Sequence, residues 1–292
     1  MRMLDTTDDM HAFCVQAKRE GKRLGLVPTM GALHEGHLSL VRASRARCDL
    51  VAVSIFVNPI QFGPSEDFSK YPRDLDRDRA LLEKEGVHVL FAPTREEMYP
   101  KGSVTFVTVE GLSDKLCGRS RPGHFRGVTT VVAKLFNITE PEVAFFGQKD
   151  AAQAIIIRRM VRDLNLDVQI VVAPIVREQD GLAISSRNFY LSPQQRKSAT
   201  VLYRALSRIQ TLADQGEHEV EKLISTGKQV VAEEPEVRLD YLEIVSPENL
   251  DAVVDIRSGA LVAIAAYVGG TRLIDNVLLT GAGQARGPRL QD

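Results

Sequence analysis

Apolar positions along most of the chain alternate between two textures. Short, nearly unbroken runs at residues 24–27 (LGLV), 49–57 (DLVAVSIFV), 87–91, 143–146 and 168–172 are rich in Val, Ile, Leu and Phe. Runs of this kind, without polar alternation, predict strands buried on both faces of a parallel sheet. Between them apolar residues recur at helical spacing. A first helix runs through Arg19, with Asp8 or Asp9 as cap and Met10, Phe13 and Ala17 facing inward, and ends at Gly21. A second starts around Leu38, Leu40 and Val41 and reaches Cys48; a third, residues 74–86, turns Leu75, Leu81 and Leu82 inward; a fourth spans 128–138. Strand, helix, strand in this order predicts βαβ units. Residues 103–110 (SVTFVTVE) alternate instead, which predicts a strand with one wet face.

The texture changes near residue 190. Ser192 and Pro193 are a cap and first-turn pair for a new helix. Helical spacing continues to about Ala232, broken near Gly216 and Gly227, and is followed by strand-like runs at 237–245, 260–268 and 271–279. The expectation is an α/β chain with a parallel-sheet domain at residues 1–177, a smaller α+β domain at 178–283 and a frayed tail at 284–292. No internal repeat is present.

Composition narrows the function classes. Net charge is −1 over 292 residues, so no overall basic surplus directs the chain to nucleic acid or an anionic membrane. Cys14, Cys48 and Cys117 are odd in number and scattered, with no C-x-x-C spacing, which argues against a disulfide framework and fits a reducing compartment. No apolar run has the length of a membrane span and the first twenty residues lack a secretory core, so the expected location is cytoplasmic.

The candidate chemistry sits where strands turn into helices. Pro28-Thr29-Met30-Gly31-Ala32-Leu33-His34-Glu35-Gly36-His37 follows the first apolar run and opens the second helix. Free backbone N–H groups and the helix dipole at such a turn favour an anion, and glycines let phosphate approach. His34 and His37, three apart, face the same space. A metal site and a purely structural turn are the alternatives, though no third ligand lies at a fitting offset. Gly147-Gln148-Lys149-Asp150 repeats the arrangement after residues 143–146, with Lys149 as a point charge for phosphate and Gln153 one turn further on. Asn58 and Gln61 lie in the loop after residues 49–57, where parallel sheets bind ligands; hydrogen bonding to their own loop is the alternative. Arg119, Arg121, His124 and Arg126 gather in a glycine-rich stretch, read as a mobile lid over an anionic ligand. Val176 precedes a loop whose Ile184-Ser185-Ser186-Arg187 offers two hydroxyls and a guanidinium to a polyphosphate. Asp74, Asp76 and Asp78 are either Mg²⁺ ligands or a wet helix face.

The HxGH within PTMGALHEGH resembles the signature of the nucleotidyltransferase superfamily. Together with FVNPIQF, YPRDL, RPGHFRGV, FFGQKDAAQ and DGLAISSRN in this order, it makes the chain resemble the pantoate-β-alanine ligases over residues 24–192. That resemblance implies a Rossmann-like first domain and an ATP-dependent joining of pantoate to β-alanine through a pantoyl adenylate. It implies ATP contacts at residues 30–37, 147–150, 176 and 184–187, with His37 as proton donor and His34, Lys149 and Arg187 beside it. Gln61 and Gln153 are then the pantoate ligands, Gln61 also meets β-alanine, and Asn58, Arg121 and His124 stand near the substrate. Mg²⁺ bridges the phosphates, with Asp78 the carboxylate expected near it. The implied assembly is a homodimer with neither nucleic acid nor membrane as partner.

Overall fold

The unbroken apolar runs become the interior of a six-stranded sheet in a computed structural model that describes residues 1–64 and 66–280. Its strands are β1 (Arg2–Leu4), β2 (Leu24–Thr29), β3 (Leu50–Ile55), β4 (Val89–Phe91), β5 (Val143–Gly147) and β6 (Gln169–Ala173). They lie in the order β1-β4-β3-β2-β5-β6, all parallel. The helices between them are α1 (Thr7–Arg19), α2 (Glu35–Arg45), α3 (Leu75–Lys84), the one-turn α4 (Arg95–Met98) and α5 (Cys117–Ser120), α6 (His124–Thr139) and α7 (Ala151–Asp163). From β2 the chain steps outward to β3; it later returns to place β5 on the other side of β2. That reversal opens a crevice beyond the carboxyl ends of β2 and β5, the place where such sheets bind ligands.

A second sheet holds β7 (Val237–Val245), β8 (Ala260–Val268) and β9 (Thr271–Leu279), antiparallel and in that order. Before it come α8 (Pro193–Ser198), α9 (Val201–Asp214) and α10 (Val220–Ala232). β8 is apolar throughout because both its faces are covered. Leu261, Ala263 and Ala265 join the core around α6 and α7, whereas Val262, Ile264 and Ala266 join the one formed with α9 and α10. The small sheet therefore packs its inner face onto the parallel-sheet unit.

Several boundaries differ from expectation for identifiable reasons. Thr6, rather than Asp8 or Asp9, caps α1: its hydroxyl accepts the Asp9 N–H at 3.1 Å. Ser192 caps α8 as expected, in a reciprocal pair with Gln195. Residues 103–110 form no strand. The hydroxyls of α6 take the bonds a neighbouring strand would supply, Thr130 Oγ1 accepting from Val107 N at 3.0 Å and Thr129 Oγ1 donating to Val107 O at 2.7 Å. The glycine-rich stretch 117–127 is not a loop either. It is α5 and the first turn of α6, fastened by Phe125, which is 2% exposed. The tail expected from residue 284 lies outside the described residues. Among the described residues no helix is long and apolar enough to cross a membrane.

Candidate active site

The PTMGALHEGH segment leaves β2, makes a tight turn and enters α2. Gly31 and Ala32 both adopt left-handed backbone, at φ 79° and 50°, a strained choice for alanine. Asp78 on α3 holds the turn: its Oδ1 accepts the Leu33 N–H at 2.8 Å, and the Ala32 N–H also bonds its carboxylate. The side chain is 1% exposed, and burial raises its carboxyl pKa against those bonds and the charge of Arg77. Asp78 is thus no wet-face residue; it is the internal anchor of the phosphate-loop candidate. Among the described residues no three His, Cys, Asp or Glu side chains gather to hold a metal ion.

His34 caps α2 in extended conformation and stacks on His37, ring centroids 4.1 Å apart. Gly36 makes room for this, since a β-carbon there would lie 3.0 Å from the His34 ring. His37 Nδ1 faces the His34 backbone N–H at 3.4 Å, an acceptor's position that leaves the proton on Nε2. Burial, followed by the charge of Lys149, lowers the His34 pKa to about 4. Burial, followed by His34 and Lys149, takes His37 well below its ordinary value. Both imidazoles are neutral at pH 7 in this state. His34 Nδ1 is buried and has no hydrogen-bond partner among the described residues, so a ligand group there would satisfy it.

Lys149 and Asp150 lie in the 3₁₀ turn after β5, directly across the crevice. The turn is fixed from the small sheet, where Asn276 Nδ2 on β9 donates to the carbonyls of Gln148 at 2.8 Å and Lys149 at 3.0 Å. Its neighbour Asp275 grips Arg177 through two bonds of 2.6 and 2.9 Å. Residues 176–184 fold back on themselves, the Ile184 N–H bonding Val176 O at 3.0 Å, and this returns Ser185, Ser186 and Arg187 to the crevice. Arg187 is held by both Asp67 oxygens, at 2.9 and 3.0 Å. Burial alone would raise the Asp67 pKa, but those bonds and the guanidinium charge outweigh it and the net shift is down. Tyr71 meets Ser186 Oγ at 3.3 Å.

The structure brings most of the expected residues to one inner cavity of about 210 Å³. Met30, His34, Gly36, His37, Asn58, Gln61, Arg121, His124, Gly147, Lys149, Asp150, Gln153, Val176 and Ile184 to Arg187 all line it. A larger cavity of about 760 Å³ adjoins it between the two sheets and shares Arg121, Lys149, Gln153 and Arg187. Other side chains stand apart. Ala32 and Leu33 are buried, Glu35 pairs with Arg42 on the surface, and Gln148 turns toward Asn276. Arg121 and His124 reach the cavity wall, yet their polar atoms are occupied. Arg121 is paired twice with Glu66, at 2.8 and 2.5 Å, and also meets His124 Nε2 at 3.0 Å. His124 Nδ1 in turn meets the Gln61 carbonyl at 2.9 Å, and burial with the Arg121 charge brings the His124 pKa to about 4. Asn58 is likewise bonded to protein groups. Sequence reasoning missed Asp67, Asp275 and Asn276; nothing in strand periodicity distinguishes the last two. Tyr71 lies in the YPRDL motif, which could have drawn attention to it.

Two strand-to-helix turns facing each other across the sheet's reversal point, one bearing neutral imidazoles and the other a lysine, define a nucleotide-using α/β enzyme. Similarity to known proteins narrows the class. The family model described as pantoate-beta-alanine ligase matches residues 2–278. The pantothenate synthetase of Koribacter versatilis is 60% identical over 289 residues, covering 99% of both chains. The crystal structure of pantothenate synthetase from Thermus thermophilus superposes with a TM-score of 0.91 at 50% identity, over 95% of this chain and 99% of that one. The pantoate-beta-alanine ligase of Francisella tularensis, complexed with beta-gamma ATP and beta-alanine, gives 0.79 at 33% identity, over 95% and 97%. The chain belongs to the pantoate-β-alanine ligase family.

Proposed function

We propose that the crevice condenses pantoate with β-alanine at the expense of ATP, in two half-reactions. A pantoate carboxylate oxygen attacks the α-phosphorus, the bond to the bridging oxygen breaks, and pyrophosphate leaves. The β-alanine amine then attacks the acyl carbon, loses a proton and expels AMP, giving pantothenate. The convergence of the β2 and β5 turns, with His34, His37 and Lys149 on one space, carries this reading. Phosphoryl and nucleotidyl transfers need positioning and charge neutralisation more than covalent help.

Backbone groups at the α2 start, Lys149, the two serines and Arg187 hold the phosphates. Anionic phosphate entering beside His37 raises its pKa from its low resting value, and its Nε2–H is the donor to the departing pyrophosphate. Gln61 and Gln153 bind pantoate; amides orient it without adding negative charge. Mg²⁺ enters as part of the Mg·ATP substrate. Asp78, Glu66 and Asp67 are each already bonded to protein groups, which favours a metal that arrives on the phosphates, beside Asp78, over one held in a protein cage. Three free cysteines suit a cytoplasmic enzyme, and a homodimer of the 32.3 kDa chain is the assembly that sedimentation would test.

The test is AMP formation from Mg·ATP with pantoate, with and without β-alanine, beside a His37→Ala variant. The reading requires AMP release that needs both substrates and falls by about 10²-fold or more in the variant. ATP turnover indifferent to pantoate would return the site to a nucleotidyltransferase with another acceptor.

A further inference from the structure

Gln61 ends a one-turn 3₁₀ helix, Pro59–Gln61, that rests directly on α6. The contact is so close that a β-carbon at Gly127 would lie 2.5 Å from Ile60 O and 2.6 Å from Gln61 N and Cα. His124 Nδ1 lies 2.9 Å from the Gln61 carbonyl. With the backbone clamped, what remains to be fixed is the side-chain amide, which can present either oxygen or nitrogen to the cavity.

The hydrogen bonds around Asn58 decide between them. Asn58 is 1% exposed, and one end of its amide lies 3.0 Å from the Gly127 carbonyl. A carbonyl oxygen only accepts, so that end is Nδ2. The same nitrogen is 3.0 Å from the end of the Gln61 amide, which must then be Oε1, and Gln61 Nε2 is left facing Met30 Sδ at 3.1 Å, a weak acceptor. On its other side Asn58 Oδ1 is 2.9 Å from the Tyr99 hydroxyl, which donates. Reversing the Asn58 amide would set oxygen against oxygen at both Gly127 and Gln61. A proton order therefore runs from Tyr99 through Asn58 to Gln61, and it ends with the amide N–H donors of Gln61 at the inner cavity.

We propose that Tyr99 is a positioning residue that, through Asn58, holds the Gln61 amide with its nitrogen toward the acceptor oxygens of bound pantoate. This rests on the reading that Gln61 contacts pantoate. Tyr99 itself does not line the inner cavity. Burial pushes its phenol pKa up, so it stays a donor throughout the working pH range. A phenylalanine keeps the ring, packed 6.1 Å from Phe56, but leaves Asn58 Oδ1 buried without a donor. Gly127 still sets which end of Asn58 is the donor, but with its oxygen unpaired the Asn58 amide, and with it the Gln61 oxygen it bonds, is held less firmly.

The experiment is steady-state kinetics on Tyr99→Phe, Gln61→Ala and the double variant, with pantoate and ATP varied separately and thermal unfolding recorded for each. Tyr99→Phe is expected to raise KM for pantoate about three- to tenfold, the scale of one buried hydrogen bond. KM for ATP and kcat should stay within about twofold. Because the effect passes through Gln61, Tyr99→Phe should add nothing further in the Gln61→Ala background. If Gln61→Ala raises KM for pantoate and Tyr99→Phe does not, the relay is wrong while the site reading stands. If neither does, both fall. Additive effects, or equal rises in both KM values with a lowered Tm, would mean general loosening and would overturn the positioning role.

Discussion

Removing the Asp78 carboxylate separates two roles that its place in the chain allows. Leu33 N–H bonds it at 2.8 Å, the Ala32 N–H also bonds it, and the side chain is 1% exposed. In Asp78→Ala two backbone donors in a left-handed turn lose their acceptor, each at a cost of about 1–3 kcal/mol if left dry. Part of that is offset, because burying the carboxylate is itself unfavourable and water can enter the space. The net expectation is roughly 2–3 kcal/mol, or a Tm lower by about 3–5 °C for a chain of this size. With the turn relaxed, the backbone groups of Gly31 to His34 no longer converge, and KM for ATP rises about tenfold. Differential scanning calorimetry measures the first; initial rates with ATP varied at saturating Mg²⁺ measure the second. The Mg²⁺ concentration giving half-maximal rate should not move. An unchanged Tm together with a raised Mg²⁺ requirement would refute the anchor and restore Asp78 as a metal ligand.

Three other outcomes follow from the same geometry. The His34 pKa is about 4 in the folded chain against an ordinary value near 6.5, so between these values the unfolded chain binds more protons and stability falls as pH falls. Tm should therefore drop less from pH 7 to 4.5 in His34→Gln than in the parent, and parallel curves would contradict the buried neutral state. Asp67→Asn frees Arg187 from its bidentate partner, and KM for ATP should fall a few-fold because triphosphate no longer displaces a carboxylate; a rise would mean that Asp67 orients the guanidinium instead. Gly127→Ala forces a β-carbon to within 2.6 Å of Gln61 backbone, costing about 1–3 kcal/mol or more by overpacking, and pantoate should bind at least tenfold more weakly, as judged by KM.

The parallel sheet was legible because burial on both faces leaves long β-branched runs, and residues 49–57 needed no other cue. The three late strands, 237–245, 260–268 and 271–279, coincide with β7, β8 and β9. Residues 103–110 misled because alternation reports one wet face and one dry face, not a ladder; both backbone groups of Val107 bond the side chains of Thr129 and Thr130, more than twenty residues away. Asp78 misled for a related reason. An acidic residue among DLDRDR looks solvated until the turn that buries it is known. The turns that carry the candidate chemistry were visible, since glycines and histidines at a strand end have a local meaning. Their supports were not, because Asn276 reaches Gln148 and Lys149 across more than a hundred residues of chain.

That separation bears on how the two sheets depend on each other. Lys149 is placed by a turn whose carbonyls are held from β9, and Arg177, at the root of the loop carrying Arg187, is locked to Asp275 on the same strand. Two adjacent residues of β9 thus fix both cationic arms of the proposed phosphate site. The proposed polyphosphate grip therefore draws on both sheets, the imidazole and lysine turns rising from the parallel one and the lysine turn being tied down from β9.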